Sequence, residues 1–417
     1  MSTSITSRAI TPPHVSMQTT DLTQEWDGYL RPDGSKGIRN HLLVVYLVEC
    51  AHHVSKEIAT PLRDEGVQVI GFGGCFPNDY AHTMLQNLCT HANTGAVLLI
   101  SLGCESFNRS RLAEHIAASG RPVHTLVIQE NGGTRSTIEL GQKWLRQTID
   151  DLRDTPRVAM TVSDLIIGTI CGGSDASSGI SANPAVGHVF DRLAGAGATA
   201  IFEETGELIG CETFLGERAA TPELREKLEA SVAKAERYYA AMGHGSFAPG
   251  NAEGGLSTIE EKSLGAYAKS GTAPIQGILL PAQRPSSPGI HLLDVVPEGD
   301  PKFGYPNIND NAEIAELMAC GAHLTLFTTG RGSVVGSAVS PVMKICANPE
   351  TYRRMSEDMD INAGEVLESE TTPVEIGERI LSKIIDVSRG EPTCSESLGH
   401  TEFVLTYKNI QPGCFPS

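Results

Sequence analysis

Short apolar runs alternate with longer amphipathic segments over most of the chain. In the first part, these patterns predict strands at 41–48, 67–72, 95–101 and 123–128 and helices at 51–64, 80–91, 109–119 and 134–152. Continuous apolar runs of this length are typical of buried parallel strands, and strands that alternate with helices form parallel sheets. The pattern therefore predicts an α/β domain that begins near Trp26.

A second α/β region begins at residue 164 and continues nearly to the end of the chain. It predicts strands at 164–170, 198–203, 275–280, 290–296, 323–328 and 341–347 and helices at 184–195, 222–242, 258–269, 311–320 and 374–388. The charged stretch 150–156 predicts a linker. We therefore expect two Rossmann-like α/β domains with mostly parallel sheets, over 26–156 and 157–417. Residues 1–25 are rich in Ser, Thr and Pro, which predicts a flexible tail.

Composition narrows the class of protein. The chain has 417 residues, of which 40% are hydrophobic and 20% charged, as in an ordinary globular protein with more than one domain. Its net charge of −18 argues against a nucleic-acid partner and against binding to an anionic membrane. No apolar run approaches the roughly 20 residues that span a bilayer, and the first residues lack an apolar signal segment. We therefore expect a cytoplasmic protein, in which an anionic substrate needs a local positive site.

The turn after the strand at 164–170 concentrates polar side chains. It carries a thiol, hydroxyls, a carboxylate and an amide, contributed by Cys171, Ser174, Asp175, Ser177, Ser178 and Asn183. Open α/β sheets bind ligands just beyond the carboxyl ends of their strands, and a following helix N-terminus offers unpaired donors to an anion. The alternative is a tight strand-to-helix turn without a ligand. Because a plain turn does not need this set, we expect Ser174, Asp175 and Asn183 to bind substrate.

Four cysteines follow predicted strands. Cys50, Cys75 and Cys104 follow three consecutive strands of the first domain, with Glu105 beside Cys104, and Cys171 has the same placement in the second domain. The carboxyl ends of parallel strands share one edge, and thiolates suit iron or zinc, so converging thiols would indicate a metal. The alternative is that each cysteine is a small buried hydrophobic residue. The first interpretation assigns Cys50, Cys104, Glu105 and Cys171 as metal ligands.

Acidic residues cluster after the strand at 198–203. Glu203 and Glu204 come at its end, and Glu207 and Glu212 follow closely. Paired carboxylates at a strand end serve as metal ligands, or one of them serves as a base whose pKa its neighbour raises. Glutamates in a first helical turn are also favoured by the helix dipole alone. On the catalytic interpretation, Glu203 and Glu204 carry the chemistry.

Two further segments offer hydroxyls, an amide and cations. Thr328 and Thr329 end a strand and precede Arg331, which two glycines flank, and this arrangement suits a bidentate clamp on a carboxylate. The loop and helix start at 251–262 offer Asn251 for binding and Lys262 as a base. The alternative for Lys262 is an exposed charged helix face.

Several motifs stand in a recognisable order along the chain. They are GYLRPDG at 28–34, GIRN at 37–40, LGCE at 102–105, CGGSD at 171–175, ANPAVG at 182–187, GCE at 210–212, GGLSTIEEKSLG at 254–265 and FTTGRG at 327–332. With these motifs, the chain resembles the altronate dehydratase/galactarate dehydratase family over about residues 26–414. Members of that family are hydro-lyases that act on sugar acids.

The resemblance implies dehydration of an aldonate or aldarate to a 2-keto-3-deoxy acid, assisted by a divalent metal. Fe²⁺ is the expected metal, and Mn²⁺ is the alternative. The metal and Arg331 would hold the substrate carboxylate and 2-hydroxyl, a base would remove the C2 proton, and the C3 hydroxyl would leave with acid assistance. These roles depend on Cys104, Cys171, Glu204 and Arg331 meeting along one cleft. Separate surfaces for these residues would remove the proposed centre.

One departure of the chain from the family concerns the N-terminal domain. Full-length members carry a small β-rich N-terminal domain, whereas only a short polar segment precedes Gly28 here. Some relatives, including sulfolactate sulfo-lyase, supply that domain as a separate subunit, so a small β-domain subunit is a candidate partner beside the hydroxy-acid substrate. A carbon–sulfur lyase and a noncatalytic sugar-acid-binding subunit are alternative functions. Assembly into a homo-oligomer also stays open.

Overall fold

The structure is a computed structural model that describes residues 19–203, 205–243, 245–300 and 308–408. Glu204 and residues 1–18 therefore lie outside the described part. The strands are, in chain order, β1 (Trp26–Leu30), β2 (Lys36–Gly37), β3 (His41–Tyr46), β4 (Val67–Gly71), β5 (Thr94–Ser101), β6 (Val123–Val127), β7 (Arg157–Met160), β8 (Ile166–Cys171), β9 (Thr199–Glu203), β10 (Ile275–Leu279), β11 (Gly289–Leu293), β12 (Leu324–Thr329), β13 (Val342–Cys346) and β14 (Ile361–Asn362).

Helices follow most of these strands. They are α1 (His52–Ala59), α2 (Asp79–Cys89), α3 (Arg109–Ala118), α4 (Thr134–Leu152), α5 (Ala182–Gly195), α6 (Glu212–Glu217), α7 (Pro222–Ala241), α8 (Pro249–Glu253), α9 (Ile259–Ala268), α10 (Asp310–Ala319), α11 (Pro349–Arg354), α12 (Glu365–Glu368), α13 (Pro373–Ser388) and α14 (Cys394–Leu398). All the strands and longer helices predicted from the apolar pattern are present within a few residues of their predicted bounds.

The strands form three sheets in the described residues. The N-terminal parallel sheet has the order β4-β3-β5-β6, and the C-terminal parallel sheet has the order β10-β11-β9-β8-β12-β13-β14. This confirms the predicted α/β class with parallel sheets, while the count of two Rossmann-like domains stays a prediction. The third sheet, β2-β1-β7, is antiparallel and was not predicted. Its strands are short and pair Trp26 with Met160, a contact that local periodicity cannot reveal.

Apolar packing joins the two parallel sheets. One core cluster contains buried residues of the N-terminal sheet, such as Val45, together with Ile170 and Phe327 of the C-terminal sheet. Helices α2 and α10 pack against each other between the sheets, and the Tyr80 hydroxyl donates to Glu316 Oε1 at 2.5 Å. A second cluster covers the other face of the C-terminal sheet, where α5 packs on α13. Continuous apolar strands are needed because helices cover both faces.

Side-chain caps fix the starts of the two helices that matter most for the candidate site. The Thr258 side chain accepts a hydrogen bond from Glu261 N at the start of α9, and the Asn309 side chain accepts one from Ala312 N at the start of α10. Caps of this kind satisfy donors that have no partner within the helix. They fix the register in which Lys262 and Asp310 enter their helices and face inward.

Neighbouring strands bring two of the predicted motifs together. β8 and β12 lie side by side and pair Cys171 with Thr328, so the turns that follow both strands leave the same edge of the sheet. The backbone N–H of Arg331 donates to Gly173 O at 2.9 Å across these turns.

Near the chain start, the Thr20 N–H and hydroxyl donate to Glu378 of α13. In the described ranges, no helix is both long and apolar enough to cross a membrane.

Candidate active site

A cavity of about 270 Å³ opens at the carboxyl end of β8. Its polar lining includes six of the residues singled out in the sequence, namely Cys171, Ser174, Asp175, Ser178, Asn183 and Lys262. Ile180, Leu256 and Leu264 supply apolar lining. Concave sites with a few convergent polar groups are typical of small-molecule binding, and this edge of an open α/β sheet is where such ligands bind.

The Cys171 thiol lies on the cavity wall within a hydrogen-bonded group. Its Sγ donates to Glu207 Oε2 at 2.9 Å and accepts from Ser174 Oγ at 3.1 Å. Burial, and secondarily the Glu207 carboxylate, raise the pKa of this thiol to about 12. Cys171 therefore keeps its proton at neutral pH, in the hydrogen bond that it donates to Glu207.

Glu207 also binds the ammonium group of Lys262. Lys262 Nζ lies 2.5 Å from Glu207 Oε1 and donates to Ser246 O at 2.8 Å. Burial by itself lowers the pKa of Lys262, but the Glu207 carboxylate outweighs it, so the net shift is upward. One carboxylate thus bridges a protonated amine and a thiol on the cavity wall. Sequence reasoning noticed Glu207 only as a companion of Glu203 and Glu204.

A second buried lysine lies behind Cys171. Lys269 is fully buried, and the Cys171 side chain is its hydrogen-bond partner. Burial lowers the pKa of Lys269 below its ordinary value, although the sulfur partly offsets this effect. Sequence reasoning missed Lys269. Its signal was the spacing of seven residues from Lys262, which places both lysines on one face of a helix two turns apart.

Three carboxyl groups form a row on the inward face of α10. Asp310, Glu313 and Glu316 are spaced three residues apart, and we call them the α10 carboxyl row. Burial raises the pKa of all three, to about 6 for Asp310 and about 8 for Glu313. Burial, and then the carboxyls of Glu313 and Glu207, also raise the pKa of Glu203 well above its usual range. Glu203 therefore lies in the interior beneath the cavity. The regular spacing of acids in an otherwise apolar helix was the missed signal.

Gly172 is needed where the Cys171 turn meets the α10 carboxyl row. A Cβ at position 172 would lie 2.2 Å from Asp310 Oδ2 and 2.5 Å from the ring of buried Phe327. We expect Gly172→Ala to lower the free energy of unfolding by about 1–3 kcal/mol, because neither neighbour can move freely. Urea unfolding measures this loss.

Gly195→Ala is the matched control for that substitution. Gly195 ends α5 and has open space around the position of an added Cβ. Alanine favours a helix over glycine, so we expect this variant to be unchanged or more stable by up to about 1 kcal/mol. Equal effects of the two substitutions would contradict the close approach at Gly172.

The other predicted binding residues hold the turns to one another. Asp175 Oδ1 accepts from Ser177 N at 2.9 Å, and Asp175 Oδ2 accepts from Asn348 Nδ2 at 3.0 Å. Asn251 Nδ2 donates to Ser174 O at 3.1 Å. These bonds occupy the carboxylate and the amide inside the protein and fix the wall of the cavity.

The threonines after β12 have similar internal bonds. Thr328 Oγ1 donates to Asn183 Oδ1 at 2.8 Å, and Asn183 Nδ2 donates to Gly265 O at 3.0 Å, so this amide links β12 to α9. Thr329 Oγ1 accepts from Gly332 N at 3.0 Å, and this bond stabilises the turn that follows β12. Both threonines are fully buried.

Arg331 lies on the turn beside Cys171 but is directed toward α8. Its guanidinium pairs with Glu253 Oε2 at 3.0 Å and donates to Gly250 O, and its side chain is 41% exposed. Lys262, rather than Arg331, is the cation on the wall of the cavity described above. The role of Arg331 as a carboxylate clamp stays a prediction.

The predicted metal ligands are divided between the two parallel sheets. Cys50 and Cys104 are exposed on loops of the N-terminal sheet, and Glu105 Oε2 accepts from Gly103 N at 2.8 Å within its own turn. Cys171 belongs to the C-terminal sheet, where Glu207 and Lys269 engage its sulfur. Among the described residues, no three His, Cys, Asp or Glu side chains are grouped so that they could hold a metal ion. The predicted ligand set does not fit a shared metal, and Glu204 lies outside the described residues.

Two family models match the chain. The C-terminal domain of D-galactarate/altronate dehydratases matches residues 162–411, and the second domain of D-galactarate dehydratase/altronate hydrolase matches residues 28–153. Together these matches extend over most of the chain and include every residue of the cavity wall.

Three relatives are similar over most of the chain. The (2R)-sulfolactate sulfo-lyase subunit beta of Chromohalobacter salexigens is 33% identical, over 91% of this chain and 96% of that protein. The altronate dehydratase of Escherichia coli is 31% identical, over 90% of this chain and 76% of that protein. The galactarate dehydratase (L-threo-forming) of Escherichia coli is 33% identical, over 74% of this chain and 58% of that protein.

Proposed function

The chain belongs to the D-galactarate/altronate dehydratase family, and from that membership we propose that it dehydrates a sugar acid in the cavity beside Cys171. The enzyme is a hydro-lyase, and the proposed substrate is an aldonate or aldarate that is converted to a 2-keto-3-deoxy acid. The observation that carries this proposal is Glu207, which binds the Lys262 ammonium and the Cys171 thiol at once. A cation, a base and an acid are the groups that such an elimination requires.

Lys262 is proposed to bind the substrate carboxylate. Its ammonium lines the cavity of a protein with a net charge of −18, so it supplies the local positive site that an anion needs. Removal of the C2 proton places further negative charge on the carboxylate group. A fixed ammonium in a site with little water stabilises that charge more than bulk water does.

Glu207 and Cys171 are proposed to move the protons. The Glu207 carboxylate takes the C2 proton, the C2–H electrons form the C2–C3 double bond, and the C3–O bond breaks. The Cys171 thiol protonates the departing hydroxyl, which leaves as water. The proton on Glu207 then returns to the Cys171 thiolate along the existing 2.9 Å contact. The enol tautomerises to the 2-keto acid, and both residues regain their starting states.

The direction of these transfers follows from acid strength. Hydroxide is a much stronger base than a thiolate, and this still holds for Cys171, although burial raises the pKa of its thiol. Transfer from the thiol to the leaving hydroxyl is therefore favourable, and transfer from a protonated carboxyl to the thiolate is favourable as well. Of the residues predicted as catalytic, Lys262 keeps a direct role in this proposal and Glu203 lies behind Glu207.

Substrate profiling tests the proposed reaction. The purified chain is incubated with galactarate, altronate and other aldonates, with and without added Fe²⁺ or Mn²⁺, and 2-keto-3-deoxy acid is measured. Turnover of one of these acids, lost in Cys171→Ala, is the expected result. Failure of every acid under all metal conditions would contradict the proposal.

A carbon–sulfur lyase is the second candidate. The match to the sulfolactate sulfo-lyase subunit covers 96% of that protein. The same base and cation suit elimination of sulfite from C3. Sulfite release from (2R)-sulfolactate, without turnover of sugar acids, would favour this reading.

A metal and a partner subunit are separate proposals. Metal analysis of the purified protein, followed by chelation and readdition of Fe²⁺, tests the first, and no step above depends on it. The second is suggested by the word subunit in the name of the sulfo-lyase relative. Activity of the isolated chain, compared with its activity after a small β-domain protein is added, tests whether the chain alone is catalytic or only binds the acid.

A further inference from the structure

The cavity lies above a group of charges that do not cancel. Five carboxyls, three of them in the α10 carboxyl row, face three ammonium groups, and the members are Glu203, Glu207, Asp310, Glu313, Glu316, Lys262, Lys269 and Lys408. Among the described residues, carboxyls therefore outnumber ammonium groups by two. An unpaired buried charge is costly, and a buried carboxyl avoids that cost by keeping its proton.

Two carboxyls are placed to hold those protons. Glu313 faces Asp310 and Glu316 on its own helix. From other parts of the chain it faces Glu207, Lys408, and Tyr239 of α7. Glu203 on β9 faces Glu313, Glu207, Glu316 and Lys408. Glu207 and Glu316 are bound at short distance to Lys262 and Lys408, so the protons fall to Glu203 and Glu313. With those two neutral, the remaining charges balance.

Asp310 is the member of the α10 carboxyl row that approaches the turn after Cys171. Its carboxyl approaches Gly172, the residue after Cys171, and it faces Glu207, Lys262 and Lys269. Its charge at neutral pH is offset by the same lysine that is proposed to receive the substrate carboxylate. An anion beside Lys262 therefore competes with Asp310 for one ammonium group.

We propose that binding of an anionic substrate beside Lys262 is coupled to uptake of a proton by Asp310. This inference rests on the proposed function, because it assumes that the cavity receives a hydroxy-acid anion. The bound anion adds negative charge near Asp310, whose pKa of about 6 then moves toward neutrality. The protonated row keeps the site close to charge balance, and binding should weaken as pH rises.

Isothermal titration calorimetry with malate tests the coupling. Malate is a 2-hydroxy dicarboxylate that lacks a C3 hydroxyl, so the proposed reaction cannot consume it. Proton uptake makes the binding enthalpy at pH 7 differ between phosphate and Tris, because their ionisation enthalpies differ. We expect uptake of about half a proton per malate and a clear reduction in Asp310→Asn, whereas Glu313→Gln, which replaces a carboxyl that is already protonated, should keep the uptake.

Glu226→Gln is the matched control for these variants. Glu226 is an exposed residue on α7, so its loss should leave proton uptake unchanged. Malate binding with equal enthalpies in both buffers would overturn the inference and leave the proposed function standing. No binding of malate or of any sugar acid would overturn both.

Infrared spectroscopy tests the stored protons without any ligand. The unliganded protein at pH 7 should show the carbonyl band of protonated carboxylic acids, and this band should weaken in Glu313→Gln and in Glu203→Gln but not in Glu226→Gln. Glutamine has nearly the shape of a protonated glutamate, so these variants should fold. A spectrum without the band, or a band that neither substitution changes, would overturn the inference.

Discussion

Replacement of Glu207 by Gln is expected to lower kcat by about 10³-fold, within the range typical of removing a general base. The amide oxygen can still accept from Lys262 and the amide NH₂ can donate to the Cys171 sulfur, so the wall of the cavity keeps its shape. KM should change much less than kcat, since Lys262 remains to bind the carboxylate. Steady-state kinetics on the acid identified by substrate profiling measures both constants.

Glu261→Gln is the matched control for Glu207→Gln. Glu261 lines the cavity, and its Oε2 accepts from the N–H and the hydroxyl of Ser257 at 2.7 Å, which ties it to the helix start. We expect its substitution to leave kcat within about threefold, as for a partly exposed group away from the reaction. A Glu207→Gln enzyme that retains kcat within tenfold of the native value would remove Glu207 as the base.

The apolar pattern predicted the parallel sheets because a run of buried residues is a local property of each strand. β8 and β12 are buried along nearly their whole length, and helices on both faces of the sheet produce that burial. The antiparallel sheet escaped prediction for the opposite reason. β1 and β7 are short, and their pairing joins segments that are far apart in sequence.

The cavity wall was partly predictable for the same kind of reason. The turn after β8 and the helix start at Lys262 carry polar residues where an α/β sheet binds ligands, and the sequence alone shows that placement. Lys269 and Glu313 were missed because a charged side chain is expected to be exposed when only the sequence is known. Only the folded chain places both in the interior, where their charges affect the cavity.

The thiols show the limit of inference from topology. Cys50 and Cys104 do follow neighbouring parallel strands, as predicted, but the two parallel sheets pack through α2 and α10 rather than sharing one edge. A common edge within each sheet therefore does not by itself place the thiols of both sheets in one cleft, and their convergence stays a prediction. Charge complementarity around Cys171, rather than the spacing of cysteines, identifies the better candidate site.

Replacement of Lys408 by Met is expected to lower the free energy of unfolding by about 3–5 kcal/mol at neutral pH, as when one partner of a buried ion pair is removed. Lys408 Nζ lies 2.7 Å from Glu316 Oε1, and both side chains are fully buried. Without the ammonium, Glu316 must either stay charged in the interior or take up a proton. The deficit should therefore shrink as the pH falls and Glu316 is protonated, which urea unfolding between pH 5 and 8 measures.

The double variant Lys408→Met with Glu316→Gln separates the ion pair from packing. It removes both charges and keeps similar side-chain volumes, and exchanges of this kind are often neutral. Stability should return to within about 1 kcal/mol of the native protein, with the Tyr80 hydroxyl still able to donate to the amide oxygen. Glu316→Gln alone should also be destabilised, because the buried ammonium of Lys408 then lacks its counterion. If the double variant were as unstable as Lys408→Met, lost packing rather than unpaired charge would explain the effect.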